Sequence, residues 1–287
     1  MSGVRVRPAT ADELSRWDDI VVRFENYRLF HKRSWIRSLE TCSGAKALYL
    51  VFERNGEILG CLPGFLVCIA FLRLFASPLE GWQTPSMGPV FDKTKTGALE
   101  LFSTAVPFLE KEFGVAHIEV VSAELDHEAM RSVGFTKQSL FTYRVPLFPG
   151  DEERTLKNVD AKTRNQLRKA KKLGLSARME DGEAFVGEFY DQLKEVFARN
   201  KKSVPFRLER AVQCFRYMKE SGNLVAISIN MPGTGICIAT GMFLIEGRES
   251  RTKGDYRSDD LVSEDEAEVQ ILRARKFIEF ATKGLGR

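Results

Sequence analysis

Apolar residues recur along the chain at two spacings, one helical and one alternating, and each predicts its own kind of element. A short Val4/Val6 alternation comes first, and Thr10 stands where an N-cap would begin a helix running to about Phe24. A second helix fits residues 32–42. Residues 47–52 are apolar and aromatic, Asn55-Gly56 follows, and residues 58–62 resume the run. Asn-Gly supplies the two left-handed positions of a two-residue hairpin, so this is the clearest hairpin signal in the chain. Residues 61–76 form the most apolar stretch, but they include Pro63, Gly64 and Arg73 and fall short of the roughly 20 residues that span a bilayer. The stretch reads as a buried strand pair. Residues 96–113 place Leu99, Phe102, Val106, Leu109 and Phe113 at helical spacing, with Pro107 as a candidate kink and Gly114 as the stop. A strand over 116–121, a short helix over 126–133 and a closing strand over 140–147 complete the first half.

The pattern dissolves at Phe148-Pro149-Gly150 and the three acids that follow, which divides the chain into a unit over 1–150 and a unit over 151–287. In the second unit Asp160 can cap a helix that Gly174 ends, and two further helices fit residues 185–199 and 208–219. Residues 224–230 and 236–245 are apolar and β-branched about a Pro232-Gly233 turn, residues 251–257 make a polar third strand, and residues 264–283 make a last helix. Both halves therefore run helices, strands, helix, and the fold class expected is mixed α/β, each half a mixed sheet flanked by helices with the cleft between them as the expected site.

Composition narrows the function. The chain has 287 residues, 44% of them hydrophobic, enough for a large core. Forty-three Lys and Arg against 39 Asp and Glu leave a net charge of +4, so any site for a polyanion has to be local. Five scattered cysteines (Cys42, Cys61, Cys68, Cys214, Cys237) without a C-x-x-C pair indicate neither a disulfide framework nor zinc. Cys61, Cys68 and Cys237 lie in apolar runs and read as core filler. His31, His117 and His127 lack metal-ligand spacing, so no metal is expected. Arg5 and Arg7 are not followed by an apolar segment of the kind a secretion signal carries, which predicts a cytoplasmic protein. Neither a Gly-x-Ser-x-Gly elbow nor a phosphate loop ending in Gly-Lys-Ser/Thr is present.

The order of elements, the Asn-Gly hairpin ahead of a long helix, and Met130-Arg131-Ser132-Val133-Gly134-Phe135 leading into residues 141–147 resemble the GNAT N-acyltransferase fold. Residues 162–175 (KTRNQLRKAKKLGL) resemble the basic helix and Gly-Leu of Fem-type transferases, and His31, Ser34-Trp35 and Cys61-Leu62-Pro63 sit where that group tends to carry a His/Trp pair and a Leu-Pro. The resemblance covers nearly the whole chain. It implies two tandem GNAT-like domains that transfer an acyl group, from acyl-CoA or from aminoacyl-tRNA, to an amine, often on a cell-envelope or polysaccharide precursor. Two departures stand out. The Gln/Arg-x-x-Gly-x-Gly/Ala signature that cradles a pyrophosphate at a helix N-terminus is absent, since Gly233-Thr234-Gly235 lies in a hairpin turn and Gly284-Leu285-Gly286 follows a helix. The closing strands that the family has after the last helix are also missing before Arg287.

Lys162, Arg164, Arg168, Lys169, Lys171, Lys172 and Arg178 fall in one stretch without an acid. Arg164, Arg168 and Lys172 recur every four residues on one helix face, where like charges repel and a bound anion would relieve them. Three readings stay open: a solvated surface, a site for the phosphates of a nucleotide-linked, lipid-linked or tRNA-borne substrate, and general nucleic-acid binding. In the loop over 79–91, Trp82 and Gln83 offer a stacking face and an amide, against the alternative of a structural loop whose Trp packs locally. Asp255 on the polar strand is the first choice for a general base and Tyr256 for the proton donor to the leaving group, although exposed residues on an edge strand carry such roles only exceptionally. Glu264, Asp265, Glu266 and Glu268 complement the positive end of the last helix. Outside enzymes, the same features suit a non-catalytic module for an anionic glycan precursor or RNA.

Overall fold

The computed structural model describes residues 3–122, 125–139, 148 and 151–246. The expected closing strand over 140–147, the polar strand over 251–257 and the last helix over 264–283 lie outside the described residues. In chain order the elements are β1 (Arg5–Pro8), α1 (Ala11–Ser15), α2 (Trp17–Val21), a 3-10 turn (Leu29–His31), α3 (Arg33–Ser43), β2 (Lys46–Arg54), β3 (Glu57–Ile69), β4 (Leu72–Ser77), β5 (Val90–Phe91), α4 (Ala98–Phe113), β6 (His117–Val120), α5 (His127–Arg131), α6 (Glu152–Asn158), α7 (Ala161–Lys172), β7 (Ser176–Met179), α8 (Ala184–Arg199), α9 (Leu208–Glu220), β8 (Leu224–Asn230) and β9 (Cys237–Leu244). They fall into two units: residues 1–138 with 205–221, and residues 139–204 with 222–287.

The first unit is built on a sheet in the order β1-β2-β3-β4-β6, with β5 also paired to β3. All pairs are antiparallel except β4 with β6, so the sheet is mixed. Asn55 and Gly56 both have positive φ, 52° and 82°, and Arg54 pairs with Glu57 across them, which is the two-residue turn the sequence requires. Strand alternation sends Leu50, Phe52 and Leu62 to one face, where Leu101, Phe102, Ala105 and Leu109 of α4 cover them. Val51 and Cys61 go to the other face, against Trp17, Ile20 and Val21 of α2. Burial of this double core is the main source of stability.

Several elements depart from expectation. The helix capped by Thr10 breaks at Arg16 (φ −109°, ψ 19°) into α1 and α2. The break turns Trp17 fully into the core, with its indole N–H donating to the His31 carbonyl at 2.9 Å. Pro107 sits inside α4 without ending it, and Gly114 ends it in the left-handed conformation. The apolar stretch 61–76 is indeed an antiparallel strand pair, buried at Leu62, Phe65 and Phe75, but its turn exposes Ile69, Leu72 and Phe71, the last at 90%. Cys68 near that turn is exposed rather than core filler.

The described sheet of the second unit is β7-β8-β9, antiparallel throughout. Helix α8 lies against β9 through Gln192, which accepts from Thr240 Oγ1 at 2.9 Å. Asp160 caps α7 by accepting from the Thr163 amide at 2.9 Å. The third helix of the second half, α9, belongs to the first unit, where it packs along α3. Its buried face, Ala211, Phe215 and Met218, finds its cover there. No helix among the described residues is long and apolar enough to cross a membrane.

Candidate functional site

The loop after β4 is closed on itself by one serine. Ser77 Oγ donates to the Pro63 carbonyl at 2.5 Å and accepts from the Gly88 amide at 3.0 Å. The Met87 amide donates to Val121 O at 2.7 Å, and the Val121 amide to Ser77 O at 3.0 Å. Residues 78–88 are thereby an Ω-loop with pinned ends. Inside it the Trp35 indole N–H donates to Thr84 Oγ1 at 3.1 Å. His31 is fully buried beside the returning limb; its Nδ1 accepts from the Arg28 amide at 2.8 Å, which assigns the proton to Nε2, and burial pushes its pKa down to about 4. A histidine so neutral and enclosed props the loop rather than exchanging protons.

Trp82 and Gln83 occupy the tip of this loop. Trp82 is half-buried, its ring meeting Phe65 edge-on with centroids 4.9 Å apart, while Gln83 is exposed with φ 55°. The structure adds a residue that the sequence reading missed: Arg210 of α9, whose guanidinium donates to the Trp82 carbonyl. Arg210 is half-buried, and burial lowers its pKa below the usual arginine value without neutralising it. The Phe206 ring lies under it with its centre 5.8 Å away, and the thiols of Cys42 and Cys214 are near; burial pushes both thiols up, Cys214 to about 12, so both are uncharged at neutral pH. No carboxylate pairs with Arg210 among the described residues. A cation held out of water without a counter-charge is costly, and a bound anion is the usual remedy. In the sequence Arg210 is one of two arginines on an amphipathic helix, and only the packing of α9 on α3 reveals its burial.

The basic helix α7 lies in the second unit. Arg164 there reaches back to α6, donating to Lys157 O at 3.2 Å, to Leu156 O at 3.4 Å and to Val159 O. That guanidinium closes the C-terminal end of α6. Arg168 donates to Asn165 Oδ1 at 3.0 Å, and Lys162, Lys169 and Lys172 are exposed along the same helix. Asp255 and Tyr256 lie outside the described residues. No group of three or more His, Cys, Asp or Glu converges among the described residues as a metal site would need.

Of the four described helices that follow strands, α1 and α5 have five residues each, which leaves α4 and α8 as candidates for a phosphate cradle. At the start of α4, Glu100 occupies the first turn, accepting from Thr96 Oγ1 at 2.8 Å and from Arg54 Nη2 at 2.5 Å. A carboxylate of the chain thus already sits at the positive end of that helix. Helix α8 is preceded by Asp181-Gly182-Glu183, again acidic. No side chain caps the first amides of either helix, but at both starts a pyrophosphate such as that of acyl-CoA would meet carboxylates of like charge.

No protein-family model matches the sequence, and no curated protein matches it. Among solved structures, that of FemX aligns over 79% of this chain and 58% of its own, with a TM-score of 0.57 and 14% identity. The chain has the FemX fold. It spans somewhat more than half of the length of FemX. A GNAT family acetyltransferase of Staphylococcus aureus subsp. aureus USA300_TCH1516 aligns over 50% of this chain and 99% of its own at 12% identity and a TM-score of 0.32. AAC(6')-Iy in complex with the bisubstrate analogue CoA-S-monomethyl-acetylneamine aligns over 51% and 100% at 12% identity and a TM-score of 0.33. The mixed α/β fold in two units expected from the sequence is the FemX-like fold observed.

Proposed function

We propose that the protein is a cytoplasmic N-acyltransferase acting on an amino group of an acceptor that bears phosphate or sugar, of the kind from which cell-envelope polymers are built. The observation that carries this reading is Arg210, a half-buried guanidinium without a carboxylate partner among the described residues, held against the Trp82 loop in a FemX-like fold. The cation would take an acceptor phosphate, and Trp82 and Gln83 would supply a stacking face and an amide beside it. In the second unit, Lys162, Arg168, Lys169 and Lys172 of α7 are a separate candidate site for phosphate.

The reaction asks little of the protein beyond placement. The amine nitrogen attacks the acyl carbonyl, the C–N bond forms, the bond to the leaving sulfur or oxygen breaks, and the amine proton passes to the leaving group. Asp255 is the residue proposed to take that proton and Tyr256 the one to return it. A second reading of the donor, aminoacyl-tRNA in place of acyl-CoA, is favoured by Glu100, which occupies the α4 start that a pyrophosphate would need.

Calorimetric titration with acetyl-CoA and, separately, with aminoacylated tRNA tests both. Saturable micromolar binding of acetyl-CoA supports the first donor, and a tRNA complex that survives moderate salt supports the second. Binding of an anionic glycan or RNA without turnover from either donor would leave a non-catalytic binding module and overturn the enzyme.

A further inference from the structure

The first unit contains a cavity that none of the preceding chemistry uses. It has a volume of about 320 Å³ and lies among α2, the N-terminal half of α3 and the last turn of α9. Ligand pockets run from about 300 to 1,000 Å³, so this one suits a molecule of amino-acid to dipeptide size.

The charges around it are separated by element. Arg33 and Arg37 come from α3, at the end where the helix dipole is positive. Glu220 comes from the last turn of α9, where the dipole is negative, and Asp19 comes from α2. These opposite charges line one cavity, yet the side chains of Arg37, Asp19 and Glu220 make no hydrogen bond or ion pair among the described residues. The Arg33 guanidinium donates through Nη1 to Leu14 O at 2.7 Å, while its Nε is buried without a partner. Ser34 Oγ is also buried without a partner. The first α3 amide is satisfied by Asp18 Oδ1 at 2.7 Å, and the Arg33 side chain is held by Leu14 O and Tyr49, so Arg37, Asp19 and Glu220 are the charges of this cavity that the described fold does not pair.

Arg16 and Asp18 also line the cavity but are engaged, by Asp12 and by the Arg33 amide; a pure anion here would meet the unpaired carboxylates of Asp19 and Glu220, and a pure cation Arg33 and Arg37, whereas a molecule bearing both charges neutralises both walls. We propose that this cavity binds a small zwitterion of the α-amino acid or dipeptide class, its carboxylate on Arg33 and Arg37 and its ammonium on Glu220 and Asp19. The site is separate from the acyl-transfer reading, and its test reads binding alone.

Calorimetric titration of the full chain with glycylglycine, N-acetyl-glycylglycine and glycylglycinamide separates the contributions. Saturable binding of glycylglycine is expected, with each blocked form weaker by about tenfold or more, since each loses one charged hydrogen-bonded contact. Arg37→Gln and Glu220→Gln, both at exposed positions, should each reproduce that loss with an unchanged melting temperature. Equal binding of the acetylated form would make this a simple anion site and overturn the proposal. Equal binding of the amide would do the same in favour of a cation site. Absence of saturable binding by glycylglycine, alanine and lysine alike would reduce the cavity to a solvated surface.

Discussion

Trp82 and Arg210 stand 128 positions apart in the chain, yet the guanidinium of one donates to the main-chain carbonyl of the other. The bond ties α9 to the tip of the Ω-loop and places there a cation that no described carboxylate pairs, 5.8 Å from the centre of the Phe206 ring. Arg210→Gln keeps a donor for the carbonyl and removes the charge. It should weaken inorganic pyrophosphate by about tenfold or more in a calorimetric titration, and the remaining binding should respond less to salt. Unchanged affinity would take Arg210 out of the site.

Trp82→Ala removes a half-buried ring whose edge contact with Phe65 is worth about 1 kcal/mol. Thermal unfolding should therefore shift by only a few degrees, while binding of a phosphate-bearing acceptor is lost. Binding that persists would reduce Trp82 to a packing role.

Arg164 and Arg168 should behave differently. Arg164→Glu strips the carbonyls at the end of α6 of their donor and puts a negative charge against them, costing about 1 kcal/mol in denaturant unfolding. Arg168→Glu, on an exposed position, should change stability by no more than about 0.5 kcal/mol. If α7 holds phosphate, the double reversal should weaken a phosphorylated ligand strongly and in a salt-dependent way; unaltered affinity would return the helix to a solvated surface.

Two buried groups set the response to acid. Arg7, bonded to Glu13, holds that carboxyl down at about 2 against an ordinary 4.5. The fold also holds His31 at about 4 against 6.5. In both cases the unfolded chain takes up the proton first, so the stability they contribute is complete above the unfolded value and is lost as the pH falls. Urea unfolding should show a decline from pH 6.5 to 4 that vanishes in His31→Gln. A second decline, from pH 4.5 to 2, should vanish in Glu13→Gln.

Gly64 faces the Phe75 ring and the Ala76 carbonyl so closely that an added Cβ would overlap both. Gly64→Ala should destabilise by about 1–3 kcal/mol, read as a lower urea midpoint, because the neighbouring backbone cannot move aside.

Local chemistry made part of this legible in advance. Asn55-Gly56 can serve as a two-residue turn because both residues tolerate positive φ, and Asp160 announces α7 because its carboxylate satisfies the Thr163 amide. Gly114 ends α4 for a similar reason. The break at Arg16 was hidden, since Trp17 is drawn inward by the carbonyl of His31, fourteen residues on. The short strand β7 was hidden because all four of its residues are exposed and leave no alternation to read. Helix α6 buries no residue and so gives no apolar stripe. Arg210 shows the same limit at the site: its charge is written in the sequence, but its desolvation depends on α3, a partner that local periodicity does not specify. The glycines and prolines around Trp82 announce an ordered loop, whereas the contact of its ring with Phe65 depends on β3 and is not written locally.

Helix α9 sits in the first unit while the chain on either side of it is assigned to the second. No single scission can therefore release either unit intact. A fragment cut at residues 148–151 would leave α3 without the neighbour that covers it and would carry off α9 with Phe215 and Met218 bared to water. Such halves should be sticky and poorly expressed separately, and should regain solubility when produced together.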